Sequence, residues 1–239
     1  MFEKFLIFDV WGDYAHFKKF YTTSSPLTFS IPPRTAIIGL ISAIIGLDKI
    51  KYLESMTKSK AEIAIRIINP IKKVRITQNL IDTKGGYFRP IKRGNLTGRT
   101  QITFEYIKDP RFRIYFRHYD EKIHNLTREF LRNHKSVYTP YLGISELICN
   151  FKFIEEVEIL EVLNEKETEV HTAIPLDEII DFEPEEGKKY FKDIIPTEIL
   201  PNRIMSEYRD VLYEIEGKTI KAKIKFAFKL KNNDVIIVL

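Results

Sequence analysis

Cysteine is all but missing from the 239 residues: Cys149 stands alone. An internal disulfide framework and a Cys-rich zinc cage are excluded, and a reducing compartment suits the chain. Long apolar runs are missing too. The longest, residues 35–47, has 13 positions, short of the ~18 that span a bilayer. Residues 1–10 carry acids and precede no small-residue cleavage site, which argues against a secretory signal. A cytoplasmic protein without a membrane partner is expected. Neither an internal repeat nor a low-complexity tract is present, and the apolar and charged fractions exclude disorder, collagen-like repetition and a coiled-coil rod for the chain as a whole. GxxxxGK[ST], HExxH and GxSxG are all absent, and no ordered set of carboxylates suggests a two-metal centre. Neither cofactor nor metal is expected.

A substantial core is available, since 44% of the chain is apolar and 30% charged. The net charge of +5 conceals a division. Residues 1–150 hold 25 Lys+Arg and 13 Asp+Glu, a balance of +12, whereas residues 151–239 hold 13 and 20, a balance of −7. Between 71 and 117 there are 12 basic and 3 acidic residues. Such asymmetry points to a polyanionic partner for the first part.

Residues 5–10 read as a short buried strand. Pro32-Pro33 then opens a helix over 34–47, apolar nearly all round. Gly39, Ser42, Ala43 and Gly46 form a stripe of small side chains on it, expected to pack closely against a sheet. Residues 61–68 and 71–77 are rich in β-branched side chains and read as strands separated by Pro70. The stretch 79–100 has no sustained period and holds Gly85-Gly86, Pro90, Gly94 and Gly98, a long excursion expected to be functional or partly mobile. Residues 101–107 and 111–117 alternate around Lys108-Asp109-Pro110 and read as a hairpin. A helix over 121–135 and a strand over 148–160 follow. Residues 211–216, 219–230 and 235–239 look like a closing β-meander, whose lysine comb at 221, 223, 225 and 229 reads as a solvated outer face. Strand, helix, strands, hairpin, helix, strand is the order of the split β-α-β-β-α-β unit, which has helices on one sheet face and leaves the other free. The predicted fold class is α+β, with a ferredoxin-like or RRM-like domain over 1–162 and a smaller β-rich domain over 163–239.

Alternation places Arg111, Arg113, Tyr115 and Arg117 on one face of the 111–117 strand, opposite Phe112, Ile114 and Phe116. Guanidinium groups and a phenol so arranged can grip phosphates and stack on bases. The alternative is an exposed hairpin whose arginines pair with Glu105 and its neighbours. In the excursion, Lys84, Arg89, Lys92, Arg93 and Arg99 lie among glycines beside Tyr87 and Phe88, a composition suited to a flexible finger that displaces counterions from phosphates. Metal-free RNA cleavage needs a proton carrier. His118, between Arg117 and Tyr119, is the best candidate; a structural hydrogen-bonding role is the competing reading.

The phrases Ala15-His16-Phe17-Lys18-Lys19, Pro26-Leu27-Thr28-Phe29-Ser30-Ile31-Pro32-Pro33-Arg34-Thr35, Ile38-Gly39-Leu40-Ile41 and Ile45-Gly46 resemble the opening of the fifth CRISPR-associated (Cas) protein family, in its type I-B form. Tyr138-Thr139-Pro140-Tyr141-Leu142-Gly143-Ile144-Ser145-Glu146 is similar to the family's turn before the last strand of the first domain. This resemblance implies a subunit of the Cascade surveillance complex, of the RAMP superfamily, in a prokaryotic cytoplasm. The subunit would cap the 5′ handle of CRISPR RNA, contact the backbone and large subunits, and carry a β-hairpin thumb at about 79–100. Lys18, Lys19 and Arg34 would lie near the handle. One branch of the family cleaves precursor RNA with a Lys-His pair where this chain has Arg117-His118, and an arginine does not surrender a proton readily. A non-catalytic RNA-binding subunit is therefore the expectation, ahead of a metal-independent endoribonuclease and a protein-binding scaffold.

Overall fold

A computed structural model describes residues 4–22, 25–49, 51–81 and 99–239. Its elements are β1 (Lys4–Trp11), β2 (Tyr14–Ala15), α1 (Arg34–Ile45), α2 (Tyr52–Ser55), β3 (Ala61–Ile67), β4 (Lys72–Ile81), β5 (Arg99–Lys108), β6 (Arg111–His118), α3 (Glu121–Arg132), β7 (Asn150–Val170), β8 (Ile174–Pro175), β9 (Ile179–Asp181), β10 (Tyr190–Ile199), β11 (Met205–Glu214), β12 (Ile220–Leu230) and β13 (Val235–Ile236). Mixed α/β architecture, dominated by strands, agrees with the sequence.

Local chemistry sets the helix bounds. Pro33 is extended and its carbonyl accepts from the N–H groups of Ala36 and Ile37, so it caps α1 at the N-terminus. Asp120 caps α3 by accepting from the Lys122 N–H at 2.8 Å. Both helices cover one face of the main sheet. There Leu6, Phe8 and Val10 of β1, Ile63 and Ile65 of β3, and Phe112, Ile114 and Phe116 of β6 pack with Ile37, Ile41 and Ile44 of α1. Each such side chain contributes roughly 1.5–3 kcal/mol on burial.

The main sheet runs β13-β12-β7-β1-β6-β3, with β9 also beside β12, and its pairs are antiparallel. Within it, β7-β1-β6-β3 reproduces the order fourth, first, third, second of a split β-α-β-β-α-β unit. The second face is not free, contrary to expectation. Phe228 and Leu230 of β12 and Ile236 of β13 pack there on Phe5, Ile7, Ala64 and Tyr115. The Leu239 N–H donates to Ile63 and the Ala173 N–H to Ile65, which draws both segments against β3. The sheet thus curls, and its own C-terminal strands cover it. β7 is the hinge of this curl: it pairs with β1 through residues 150–158 and with β12 through 159–170. The expected boundary at 162/163 falls inside this continuous strand.

Two predicted pairings are corrected, one in the 101–117 hairpin and one in the closing meander, whose β12–β13 pair does form. β5 does not pair with β6; it joins β2 and β4 in a separate sheet, while β6 lies between β1 and β3. The turn between them is tied elsewhere, since the Asp109 N–H donates to Asp13 and the Gly12 N–H to Pro110. Nor do β11 and β12 form a meander. β11 joins β10 and β8, and the following turn is held at the end of β3, where the Ile71 N–H donates to Ile215. Gly217 in that turn has φ +82°, and a Cβ there would lie 2.4 Å from the Ile67 carbonyl oxygen, so a side chain would push the turn away from the end of β3. The lysine comb does face outward, with Lys221, Lys223 and Lys229 opposite Glu169, Glu167 and Glu161 of β7.

Candidate nucleic-acid interface

Alternation along β6 holds, but the face carrying its cations is engaged. Asp9 of β1 is fully buried and accepts from Arg111 at 2.7 Å and from Arg113 at 2.8 Å. This hydrogen bond holds the Arg113 proton more firmly than usual, against the opposing effect of burial. The Tyr115 hydroxyl donates to Asp234 at 2.8 Å, and burial, reinforced by that carboxylate's charge, pushes the phenol far above its ordinary range. Arg66 of β3 reaches the other oxygen of Asp234 at 3.2 Å. Arg117 pairs with Glu62 and lies 4.9 Å from each of the Phe5 and Phe228 ring centres. All four side chains are engaged by carboxylates, Tyr115 and Arg117 are buried under the covering strands, and Arg111 and Arg113 stay part-exposed while held by Asp9. They do not present the phosphate-gripping face that their alternation implied. What overturned it is the C-terminal cover, whose packing partners are distant in sequence.

The N-terminal cations divide. Lys18 is exposed, and its backbone bridges to Thr28. Lys19 donates to Asp193 of β10 at 2.5 Å; burial alone would lower its pKa, but that bond and charge leave it raised. Arg34 is 1% exposed and donates to the carbonyls of Thr197, Met56 and Ala61 at 3.2, 2.9 and 2.8 Å. Burial lowers its pKa to about 10. It is a keystone between α1, β3 and β10, closed to solvent rather than presented to a ligand. His118 is fully buried, its Nε2 donating to Ser55 and its Nδ1 accepting from the Asp120 N–H, both at 2.9 Å. Its placement is that of the structural reading. Lys84, Arg89, Lys92 and Arg93 lie outside the described residues, while Arg99 opens β5 and is exposed.

Among the described residues, one exposed basic surface is the ribbon formed by β4 and β5, paired in register from Lys72↔Lys108 to Ile81↔Arg99. Over these two strands stand Lys72, Lys73, Arg75, Arg99 and Lys108 against a single carboxylate, Glu105. Lys72 and Lys108 are exposed and directly opposed, an arrangement that is unfavourable between neighbouring strands unless an anion joins them. Strong fastening holds the base of the ribbon. The Lys73 ammonium donates to Thr28 at 2.9 Å and to Glu105 at 3.1 Å, His16 Nδ1 donates to the Glu105 carbonyl at 2.7 Å, and Gln78 donates to the Tyr106 hydroxyl at 2.5 Å. Toward its far end the described residues are held by cross-strand pairs, such as Thr77 with Thr103 at 2.9 Å. Among the described residues the arm is fastened chiefly at its root, and a two-stranded ribbon is marginal in water by itself. Sequence reading missed Lys72, Lys73, Arg75 and Lys108 as a set. The available signal was that strands of equal length flank the 79–100 excursion symmetrically.

These features define a class first: a curled, mostly antiparallel α/β protein built on a split β-α-β-β-α-β unit, with a basic two-stranded arm. Two solved structures share the fold over nearly their whole length. One is a chain of a "CRISPR RNA-guided surveillance complex", 10% identical, with 92% of this chain and 92% of that chain covered at TM-score 0.55. The other is a CRISPR protein from Archaeoglobus fulgidus, 12% identical, with 98% of each chain covered at TM-score 0.57. No curated protein matches. The family profile of CRISPR-associated protein (Cas_Cas5) matches residues 5–226, and the chain belongs to that family.

Proposed function

We propose that the chain is a non-catalytic, RNA-binding subunit of a type I Cascade surveillance complex that caps the 5′ handle of CRISPR RNA, with the β4–β5 arm as its thumb. Family membership supports a CRISPR role, and the fold is shared with a chain of an RNA-guided surveillance complex. The observation that carries the reading is the arm itself, with five cations, one carboxylate and Lys72 opposing Lys108. A phosphate chain laid along the ribbon would relieve that repulsion and supply the partner that the exposed strands lack. Exposed Phe20, Tyr21 and Tyr208 form a ring cluster with centroids 5.1 and 4.8 Å apart, suited to association with a neighbouring backbone or large subunit.

Reversal of Lys72 and Lys108 to Glu tests the proposal. Affinity for labelled repeat RNA should fall, and the slope of log affinity against log salt should flatten by about 0.7 for each phosphate no longer neutralised. Unchanged affinity and slope would refute it. In EDTA the intact RNA should survive; a discrete cut abolished by His118→Ala would replace this reading with the endoribonuclease.

A further inference from the structure

We propose that a groove along α1, remote in sequence from the arm, seats one unstacked nucleobase of the bound strand, with the adjoining phosphate held by Lys49 and Arg203. This inference rests on the chain being an RNA-binding protein. The groove has a volume of about 540 Å³, within the ~300–1,000 Å³ of small-ligand sites. Its floor is the small-residue stripe of α1, and that stripe does not pack against the sheet as expected. A Cβ added at Gly39 would meet nothing within 4 Å among the described residues. A glycine inside a helix costs about 0.5–1 kcal/mol relative to alanine, and here no close neighbour among those residues accounts for it. The space over Ala36, Gly39 and Ala43 is open.

Three phenols wall this space: Tyr52 from α2, and Tyr138 and Tyr141 from the segment after α3. Tyr138 and Tyr141 are 58% and 45% exposed, large aromatic surfaces left in solvent. The wall is fixed, because the N–H groups of Val137 and Tyr138 donate to Ile44 and Ala43 at 2.9 and 3.0 Å. Lys49 and Arg203 complete the lining, which contains no carboxylate among the described residues. Arg203 donates to the Lys49 carbonyl at 3.4 Å, keeping the two cations together. Flat aromatic faces, open backbone and paired cations without an acid match a base and its phosphate. A basic or neutral peptide would leave those cations uncompensated.

The groove also adjoins the arm. Its wall continues into Leu142, whose carbonyl accepts from the His16 N–H at 3.0 Å, and His16 in turn holds Glu105 at the arm's base. Gly143 makes this junction possible, with φ +97° and a would-be Cβ only 2.0 Å from the His16 carbonyl oxygen. The groove and the root of the arm are thus neighbours joined through Leu142, Gly143 and His16.

The test is a fluorescence titration of the full chain with labelled single-stranded repeat RNA. Tyr52→Ala with Tyr141→Ala should weaken binding about 5- to 150-fold, the range for removal of one base–aromatic stack, whereas Tyr52→Phe should bind as the wild type does. Gly39→Leu fills the groove while favouring the helix, so it should weaken binding without loss of thermal stability. If Gly39→Leu and the tyrosine pair bind normally while Lys72→Glu with Lys108→Glu does not, the groove is wrong and the RNA reading stands. If the arm variant also binds normally, the RNA reading fails and this inference with it. If Gly39→Leu spares RNA binding but blocks assembly with other subunits, the groove takes protein, and the proposal is overturned.

Discussion

Arg34 stands at the start of α1, between two strands that the sequence does not connect to it. A buried guanidinium is tolerated only where acceptors surround it, and three backbone carbonyls do so here. Arg34→Met should cost about 4–5 kcal/mol in chemical denaturation, the scale of three charge-assisted hydrogen bonds at the low end of their range, while the folded protein binds RNA as before. Loss of RNA affinity without loss of stability would return Arg34 to the handle. His16, His124 and His171 are each lowered from 6.5, chiefly by burial. A lowered folded value means that unfolding takes up protons below about pH 6.5, so stability falls as pH drops through that value and is fully present above it. His16→Asn preserves a donor toward Glu105 and removes the titration; its stability should decline less than the wild type's between pH 7 and 5, measured by urea midpoints. An equal decline would assign the effect to other groups.

At the scale of elements, both long helices and most strands were legible from local signals: Pro32-Pro33 opens the apolar α1, Ile123, Leu126, Phe130 and Leu131 repeat along α3, and Phe112, Ile114 and Phe116 alternate in β6. Pairing was not legible where a tight turn suggested the wrong neighbour. Lys108-Asp109-Pro110 has the composition of a hairpin turn, yet its hydrogen bonds go to the turn after β1. The cations of β6 misled for a related reason. Alternation reports which side a residue is on, not what lies above it, and the covering residues Phe228, Leu230 and Ile236 come more than a hundred positions later. That cover implies a prediction. A chain ended at residue 218 loses β12 and β13 and uncovers Phe5, Ile7 and Tyr115, so it should aggregate or lose its cooperative thermal transition. A soluble, cooperatively folded fragment would show that the two parts stand independently.

For the whole molecule, the basic first half divides into cations consumed inside the fold and cations left outside it. Arg34, Arg66, Arg111, Arg113 and Arg117 belong to the first group and tie strands together. Lys72, Arg75 and Lys108 belong to the second and project on the arm. Excess positive charge is thereby concentrated on a ribbon too thin to be stable alone, which is the form expected of a surface completed by a polyanion. The most direct measurement is photo-crosslinking of thiouridine-substituted repeat RNA to the full chain, with the attachment sites mapped by mass spectrometry. Adducts are expected within residues 72–81 and 99–108 and not within 111–118; adducts concentrated on 111–118, with the arm unlabelled, would contradict the division of cations.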